Sequence, residues 1–145
     1  FCLLREIINR VKRQHPFILD AMVVMPDHLH LMMTLPVEDN NYAKRWSLIK
    51  AGFSRKIPQN EGISESRKSK SERGIWQRRY WEHLIRDEND YKRHVDYIHY
   101  NPVKHGYAES AVKWPYSTIH RFIEKGILDN NLGSGDRFNQ GSFGE

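Results

Sequence analysis

The chain has a single cysteine, Cys2, among its 145 residues. One thiol cannot form an intramolecular disulfide, and it excludes a zinc site built from several cysteines. We therefore expect a reducing compartment, the cytoplasm. No apolar run approaches the roughly 20 residues that span a bilayer, and no secretory signal pattern is seen, so we expect no membrane contact.

Acidic residues are also in short supply, with 18 Asp and Glu against 23 Lys and Arg, a formal net charge of +5. This balance favours a polyanionic partner. The length fits one domain, which we place at residues 1–125. The last residues, 126–145, are rich in Gly, Asn and Ser, and we expect them to form a flexible tail.

Apolar residues alternate with other types between residues 25 and 36, MPDHLHLMMTLP. This period of two predicts a half-buried β-strand whose odd-numbered side chains, from Leu29 to Leu35, face the core. His28 and His30 then project together from the opposite face. Two adjacent neutral imidazoles suit a divalent metal, although two ordinary surface histidines would give the same pattern.

The rest of the chain reads as alternating helical and extended segments. Apolar spacing predicts helices at 2–14, 41–57 and 87–101, the last beginning at the N-cap Asp87 and ending before Pro102. Strands are predicted at 17–24, which forms a hairpin with the histidine strand, and at 80–85. The segment 58–74 has almost no apolar content and is expected to be a mobile polar loop.

Basic residues are concentrated on the second predicted helix and beside the aromatic residues that follow the polar loop. The spacing places Lys44, Arg45, Arg55 and Lys56 on a different side of the helix from its apolar stripe. Such a face either is solvated or contacts phosphates. Arg78 and Arg79 lie among tryptophans and tyrosines, a combination that can hold single-stranded nucleic acid.

On the third helix, Tyr97 and Asn101 are four residues apart and therefore share a face. That face is not the core stripe, which runs through Tyr91, Val95 and Ile98. An Asn oxygen can bind a divalent cation, and a Tyr hydroxyl beside it could serve as a nucleophile, a proton donor or a hydrogen-bonding partner. The spacing alone does not decide among these roles.

Several motifs together resemble the single-tyrosine HUH transposases, specifically the REP-associated tyrosine transposases of the IS200-like family. The resemblance extends from the first helix to about residue 124. It is carried by VVMPDHLHLMMTLP, WSLIKAGFSRKIP, GIWQRRYWEHLIRDENDY and HVDYIHYNPVKHG, and by WPYS followed by HRF. MPDHLH and YIHYNPVKHG in one chain are more specific than either motif alone.

The resemblance implies an α+β, ferredoxin-like fold with an antiparallel sheet packed against helices. It implies Tyr97 as the nucleophile, and His28, His30 and Asn101 as ligands of Mg²⁺ or Mn²⁺. It also implies cleavage and joining of single-stranded DNA at palindromic hairpins through a 5′-phosphotyrosine. Family members begin with a strand before the first helix, so the sheet here is expected to lack its N-terminal strand, which a truncated sequence explains most simply.

Two other functions compete with this interpretation. A transposase derivative that binds hairpin DNA or RNA without cleaving it would have the same basic character. A zinc hydrolase built on His28, His30 and a third histidine is less well supported, because no Asp or Glu stands at a telling distance. The sequence leaves the general base open between His94 and His99, and it does not give the oligomeric state.

Overall fold

The computed structural model describes residues 1–128, so most of the predicted flexible tail lies outside the described residues. It contains two antiparallel strands and five α-helices, which confirms the α+β class. The chain divides into two compact units, residues 1–17 with 35–82, and residues 18–34 with the described part of 83–145. The elements are α1 (Cys2–Gln14), β1 (Ile18–Val24), β2 (Leu29–Thr34), α2 (Tyr42–Lys56), α3 (Glu65–Lys68), α4 (Glu88–Lys104) and α5 (Ile119–Glu124).

In the first unit, α1 packs against α2. The predicted apolar stripe of α1 is confirmed, since its four members are all buried: Leu4, Ile7, Ile8 and Val11. The two helices approach closely at Gly52, where a Cβ atom would lie only 2.8 Å from Cγ2 of Ile7. A larger residue at Gly52 would therefore force the two helices apart.

The polar segment 58–74 contains one turn of helix, α3, where the sequence predicts only a loop. Arg73 ties this segment together, because its guanidinium donates hydrogen bonds to the carbonyls of Ile57 and Pro58 and to the carboxylate of Glu61. The bond from Arg73 is the main reason that the pKa of Glu61 falls to about 2. The polar segment therefore contains an ion pair between Arg73 and Glu61 that its composition did not predict.

The strand predicted at 80–85 is wrong, since these residues are irregular. The outer edge of β1 is paired instead by residues 116–118. The amide of Val24 donates to the carbonyl of Tyr116, and the amide of Thr118 donates to that of Met22. The β propensity of a short segment depends on its packing context, so residue type alone did not decide the conformation of 80–85.

The second unit is built on the β1–β2 hairpin, in which Val23 pairs with His30 and Val24 with Leu29. The amide of Met25 donates to the carbonyl of His28 across the turn at 2.8 Å. The predicted hairpin is therefore confirmed, and its turn places His28 immediately before β2.

The strand β2 turns the opposite face to the core from the one predicted. Met32 is buried in one cluster with Val95 and Ile98 of α4, whereas Leu29 and Leu31 are only half-buried. Even-numbered side chains of β2 therefore face α4. The prediction that His28 and His30 share a face is confirmed, but that face is covered by a helix rather than open.

The helix α4 begins as predicted, with the Asp87 side chain accepting a hydrogen bond from the amide of Asp90. It does not end before Pro102, which lies inside its last turn. The end is set by Gly106, whose φ of 71° is left-handed and places the amide of Tyr107 on the carbonyl of Pro102. Three further helical residues, up to Lys104, therefore follow Asn101.

No helix among residues 1–128 has the length and apolar character needed to cross a bilayer.

Candidate metal and nucleophile site

His28, just before β2, and His30, its second residue, lie side by side with ring centroids 5.1 Å apart. Nδ1 of His28 lies 2.7 Å from a carboxylate oxygen of Asp27, and this hydrogen bond is the main cause that lowers the pKa of Asp27. With its Nδ1 proton donated to a carboxylate, a histidine presents the lone pair of Nε2 outward, as metal-binding histidines do.

Asn101 brings α4 to both histidines, and it has no exposed surface. Its amide oxygen lies 3.3 Å from Nε2 of His28, and its amide nitrogen lies 3.1 Å from Nε2 of His30. The three side chains predicted as metal ligands therefore converge. The two histidines come from the strand, and the buried amide comes from the helix that covers it.

The donor set of this cluster fits a divalent cation. With Nδ1 of His28 donating to Asp27, its Nε2 lone pair faces the oxygen of Asn101, and two acceptors in contact need a proton or a cation between them. Two neutral imidazoles and one amide oxygen are suitable ligands for a divalent cation, and Nε2 of His30 would exchange its contact with the Asn101 amide nitrogen for the metal.

Tyr97 lies one helical turn before Asn101, and its ring packs edge-on against that of His30 with centroids 5.3 Å apart. Nζ of Lys104 lies 3.3 Å from its hydroxyl oxygen and 5.0 Å from its ring centroid. Tyr97 is half-buried and outside the core cluster of Val95 and Ile98. The structure thus brings Tyr97 to the same site as the three predicted ligands.

The two histidines considered as general bases, His94 and His99, make the following contacts elsewhere in the second unit. His99 is 1% exposed, its Nε2 lies 3.0 Å from the Thr118 hydroxyl, and burial lowers its pKa to about 4. His94 is also buried, with Nδ1 on the carbonyl of Asp90 and its ring stacked on His83.

Sequence reasoning missed three residues of the site. Asp27 orients His28, His105 lies with its ring centroid 5.2 Å from that of His28, and Lys104 contacts Tyr97. Lys104 follows Tyr97 by seven residues, two helical turns, so helical spacing would have found it. It was overlooked because Pro102 was expected to end the helix first.

A second histidine cluster lies near the start of α4. His83, Asp90 and His94 each offer one ligand atom within 4.8 Å of the others, so by residue type they could hold a metal ion. The carboxylate of Asp90, however, already accepts hydrogen bonds from the amide and the guanidinium of Arg86. These donors make the cluster a hydrogen-bonded anion rather than an open site.

The predicted DNA-contacting cations fall into two groups. Five are exposed: Lys44, Arg55, Lys56, Arg78 and Arg79. Arg45 is not on that surface, because it is 3% exposed and forms paired hydrogen bonds with Asp39, whose pKa they lower. Helical spacing placed Arg45 away from the apolar stripe, but it could not show that Asp39 forms an ion pair with Arg45.

Arg55 and Arg78 both line one open pocket of the first unit, beside Trp76. The indole nitrogen of Trp76 donates to the hydroxyl of Ser54, and its ring packs against Trp46 and Phe53. The contacts of Trp76 are therefore mainly those of packing within the first unit.

The paired histidines on an antiparallel sheet and the tyrosine on the facing helix place the chain in the HUH class, as its motifs indicated. The family described as "Transposase IS200 like" matches residues 3–101. The chain belongs to this family of transposases, and to its REP-associated tyrosine transposase branch.

Two relatives support this assignment. The chain is 45% identical over 130 residues to a Haemophilus influenzae protein named "Putative REP-associated tyrosine transposase", covering 89% of this chain and 74% of the relative. It is 42% identical over 125 residues to the REP-associated tyrosine transposase of Escherichia coli, covering 86% and 68%.

A solved structure, described as a REP-associated tyrosine transposase bound to a REP hairpin, also matches. It aligns with a TM-score of 0.78 and 38% identity, covering 99% of this chain and 78% of that one. The predicted family and fold class are therefore confirmed.

Proposed function

We propose that this transposase cleaves and rejoins single-stranded DNA beside a hairpin, with Tyr97 as the nucleophile. The carrying observation is that the Asn101 side chain lies within 3.3 Å of both His28 and His30, next to the ring of Tyr97. A tyrosine next to a set of metal ligands is suited to phosphoryl transfer.

His28, His30 and Asn101 would hold Mg²⁺ or Mn²⁺, the metals that the family resemblance implies. When bound, the cation would neutralise charge on the scissile phosphate and help to orient it. Asp27 would fix the ring of His28 through Nδ1, leaving Nε2 for the metal. Asn101 needs no deprotonation to serve as a ligand, and its burial keeps the amide in place.

In the cleavage step, the oxygen of Tyr97 attacks phosphorus, the P–O3′ bond breaks, and the hydroxyl proton of Tyr97 leaves. The departing 3′ oxygen gains a proton and becomes a free hydroxyl. The product is a 5′-phosphotyrosine, a reactive ester that the same or another 3′-hydroxyl can attack. Rejoining by reversal therefore needs no external energy source.

Hairpin DNA is the proposed substrate because a homologue of 38% identity is described as bound to a REP hairpin. The exposed cations of the first unit would contact the backbone: Lys44, Arg55, Lys56, Arg78 and Arg79. Backbone contacts release counterions, so affinity should fall steeply as salt rises. Equal affinity for hairpin and blunt duplex would argue against this substrate.

The test is covalent capture. Full-length protein is incubated with a labelled single-stranded oligonucleotide carrying a REP-type hairpin, with Mg²⁺, with Mn²⁺ or with EDTA, and resolved on a denaturing gel. A protein–DNA adduct with either metal and none with EDTA is expected. Tight hairpin binding with no adduct under any condition would overturn the cleavage proposal in favour of a binding protein.

Charge reversal tests the DNA surface separately. Lys44→Glu with Lys56→Glu should weaken hairpin binding about 10-fold at low salt and flatten the salt dependence, whatever the hairpin sequence, because phosphate contacts carry no sequence information. Lys92→Glu with Lys113→Glu, the same change at two exposed sites of the second unit, is the matched control in a fluorescence-anisotropy titration. An equal loss in both pairs would reduce the effect to net charge.

A further inference from the structure

Lys104 is the residue of α4 that lies beside the hydroxyl of Tyr97, and the proposed chemistry has not used it. Its Nζ donates to that hydroxyl at 3.3 Å and lies 5.0 Å from the ring centroid. Lys104 is the last residue of the helix, and its side chain is exposed. The ammonium therefore lies beside the tyrosine hydroxyl at the protein surface.

The spacing along the helix explains why Lys104 lies near Tyr97. Tyr97, Asn101 and Lys104 stand at positions i, i+4 and i+7, so all three project from one face. The helix reaches Lys104 because the left-handed Gly106 ends it rather than Pro102. A cation at a helix C-terminus is also favoured by the helix dipole.

We propose that Lys104 is a catalytic residue that holds a non-bridging oxygen of the scissile phosphate while Tyr97 attacks. This inference rests on the proposed function, since it takes Tyr97 as the nucleophile. In a near-attack geometry, phosphorus lies roughly 3–3.5 Å from the attacking oxygen. Nζ of Lys104 is already 3.3 Å from that oxygen, so a phosphate in position for Tyr97 is within reach of Lys104.

The ammonium supplies a charge at the place where the reaction needs it. As the P–Oη bond forms and the P–O3′ bond breaks, negative charge is spread over the non-bridging oxygens. A fixed donor aimed at those oxygens lowers the barrier without taking part in the proton balance. His30 and Lys104 both contact Tyr97, so a phosphate in position for attack would lie near the proposed metal ligands and near the ammonium.

The test compares single-turnover rates of adduct formation for Lys104→Met, Lys104→Arg and the control Lys92→Met. Lys92 is an exposed lysine of the same helix, paired with Glu88. Lys104→Met should slow adduct formation roughly 100-fold, as for loss of one donor to a reacting oxygen. Hairpin affinity should stay within about 3-fold, Lys104→Arg should keep most of the rate, and Lys92→Met should match wild type.

Substrates in which sulfur replaces one or the other non-bridging oxygen distinguish contact of Lys104 with the phosphate from a purely structural role of Lys104 in the helix. If Lys104 touches one oxygen, the penalty of Lys104→Met differs between the two diastereomers. If it only supports the helix, both penalties are the same, and the proposal is overturned. A wild-type rate of adduct formation in Lys104→Met overturns it too. In that case the adduct itself would still agree with Tyr97 as the nucleophile. Failure of the wild type to form any adduct would instead refute the proposed function and this inference with it.

Discussion

Two clusters on the second unit contain two histidines and one oxygen-bearing side chain, yet their surroundings differ. At the β2 site, His28 and His30 meet the neutral amide of Asn101. At the start of α4, His83 and His94 meet the carboxylate of Asp90. The carboxylate would be the stronger ligand for a hard cation, so residue type alone favours the second cluster.

The charges around the two clusters reverse that ranking. Asp90 is nearly inaccessible, receives hydrogen bonds from His83 and Arg86, and lies 3.5 Å from the guanidinium of Arg93. The hydrogen bond from His83 is the main cause that lowers the pKa of Asp90. At the β2 site, by contrast, Nε2 of His28 faces the amide oxygen of Asn101, and with Nδ1 of His28 donating to Asp27 both of these atoms are acceptors. A metal would satisfy the acceptors at the β2 site, whereas at the Asp90 cluster it would displace hydrogen-bond donors.

The largest effect should come from Tyr97→Phe, which leaves the metal ligands in place and removes the attacking oxygen. Adduct formation should fall by at least roughly 1,000-fold, with hairpin affinity nearly unchanged. Tyr100→Phe is the matched control, being a tyrosine of the same helix. Peptide mapping of the wild-type adduct should locate the phosphotyrosine at residue 97, and an adduct at residue 100 would mean that the wrong tyrosine was chosen.

Substitution in the Asp90 cluster should lower the stability of the fold rather than the rate of cleavage. Asp90→Asn removes the charge that holds His83 and Arg86 against the start of α4, so the melting temperature should drop by several degrees. Asp96→Asn, an exposed position on the same helix, is the control. If Asp90→Asn left the melting temperature unchanged but abolished metal-dependent cleavage, the two clusters would have exchanged roles.

His99 gives a smaller effect, confined to acid pH. Burial lowers the folded-state pKa of His99 from 6.5 to about 4. The unfolded chain therefore takes up a proton in this window while the folded protein resists it, so stability is complete above about pH 6.5 and declines below it. The loss should reach about 2 kcal/mol between pH 7 and pH 5.

Denaturant unfolding in EDTA would measure this loss. His99→Gln, which cannot titrate, should flatten the slope between pH 6.5 and pH 4, whereas His15→Gln, at a more exposed histidine, should keep it. Parallel slopes for wild type and His99→Gln would show that another group governs acid stability.

Local patterns predicted the elements that position the site. The alternation around His28 predicted a strand, the stripe of α1 predicted a helix, and Asp87 predicted an N-cap, because each depends on neighbours a few residues away. Tyr97 and Asn101 were paired by helical spacing alone. These predictions needed no knowledge of tertiary packing.

The errors arose where distant parts of the chain decide the outcome. Odd-numbered apolar residues of β2 suggested the core face, but α4 covers the other face and buries Met32 there. Arg45 was placed with exposed cations, but Asp39 and the carbonyl of Pro16 enclose it. The length of α4 was misjudged because a proline near a helix end was weighted above the glycine that sets it.

Manganese binding tests the central claim most directly. Free Mn²⁺ is followed by electron paramagnetic resonance as the protein is titrated, for wild type and for two matched double variants whose folding is checked by circular dichroism. His28→Gln with His30→Gln should abolish Mn²⁺ binding, and His83→Gln with His94→Gln should leave it intact. Loss of binding in the second pair but not in the first would contradict the account.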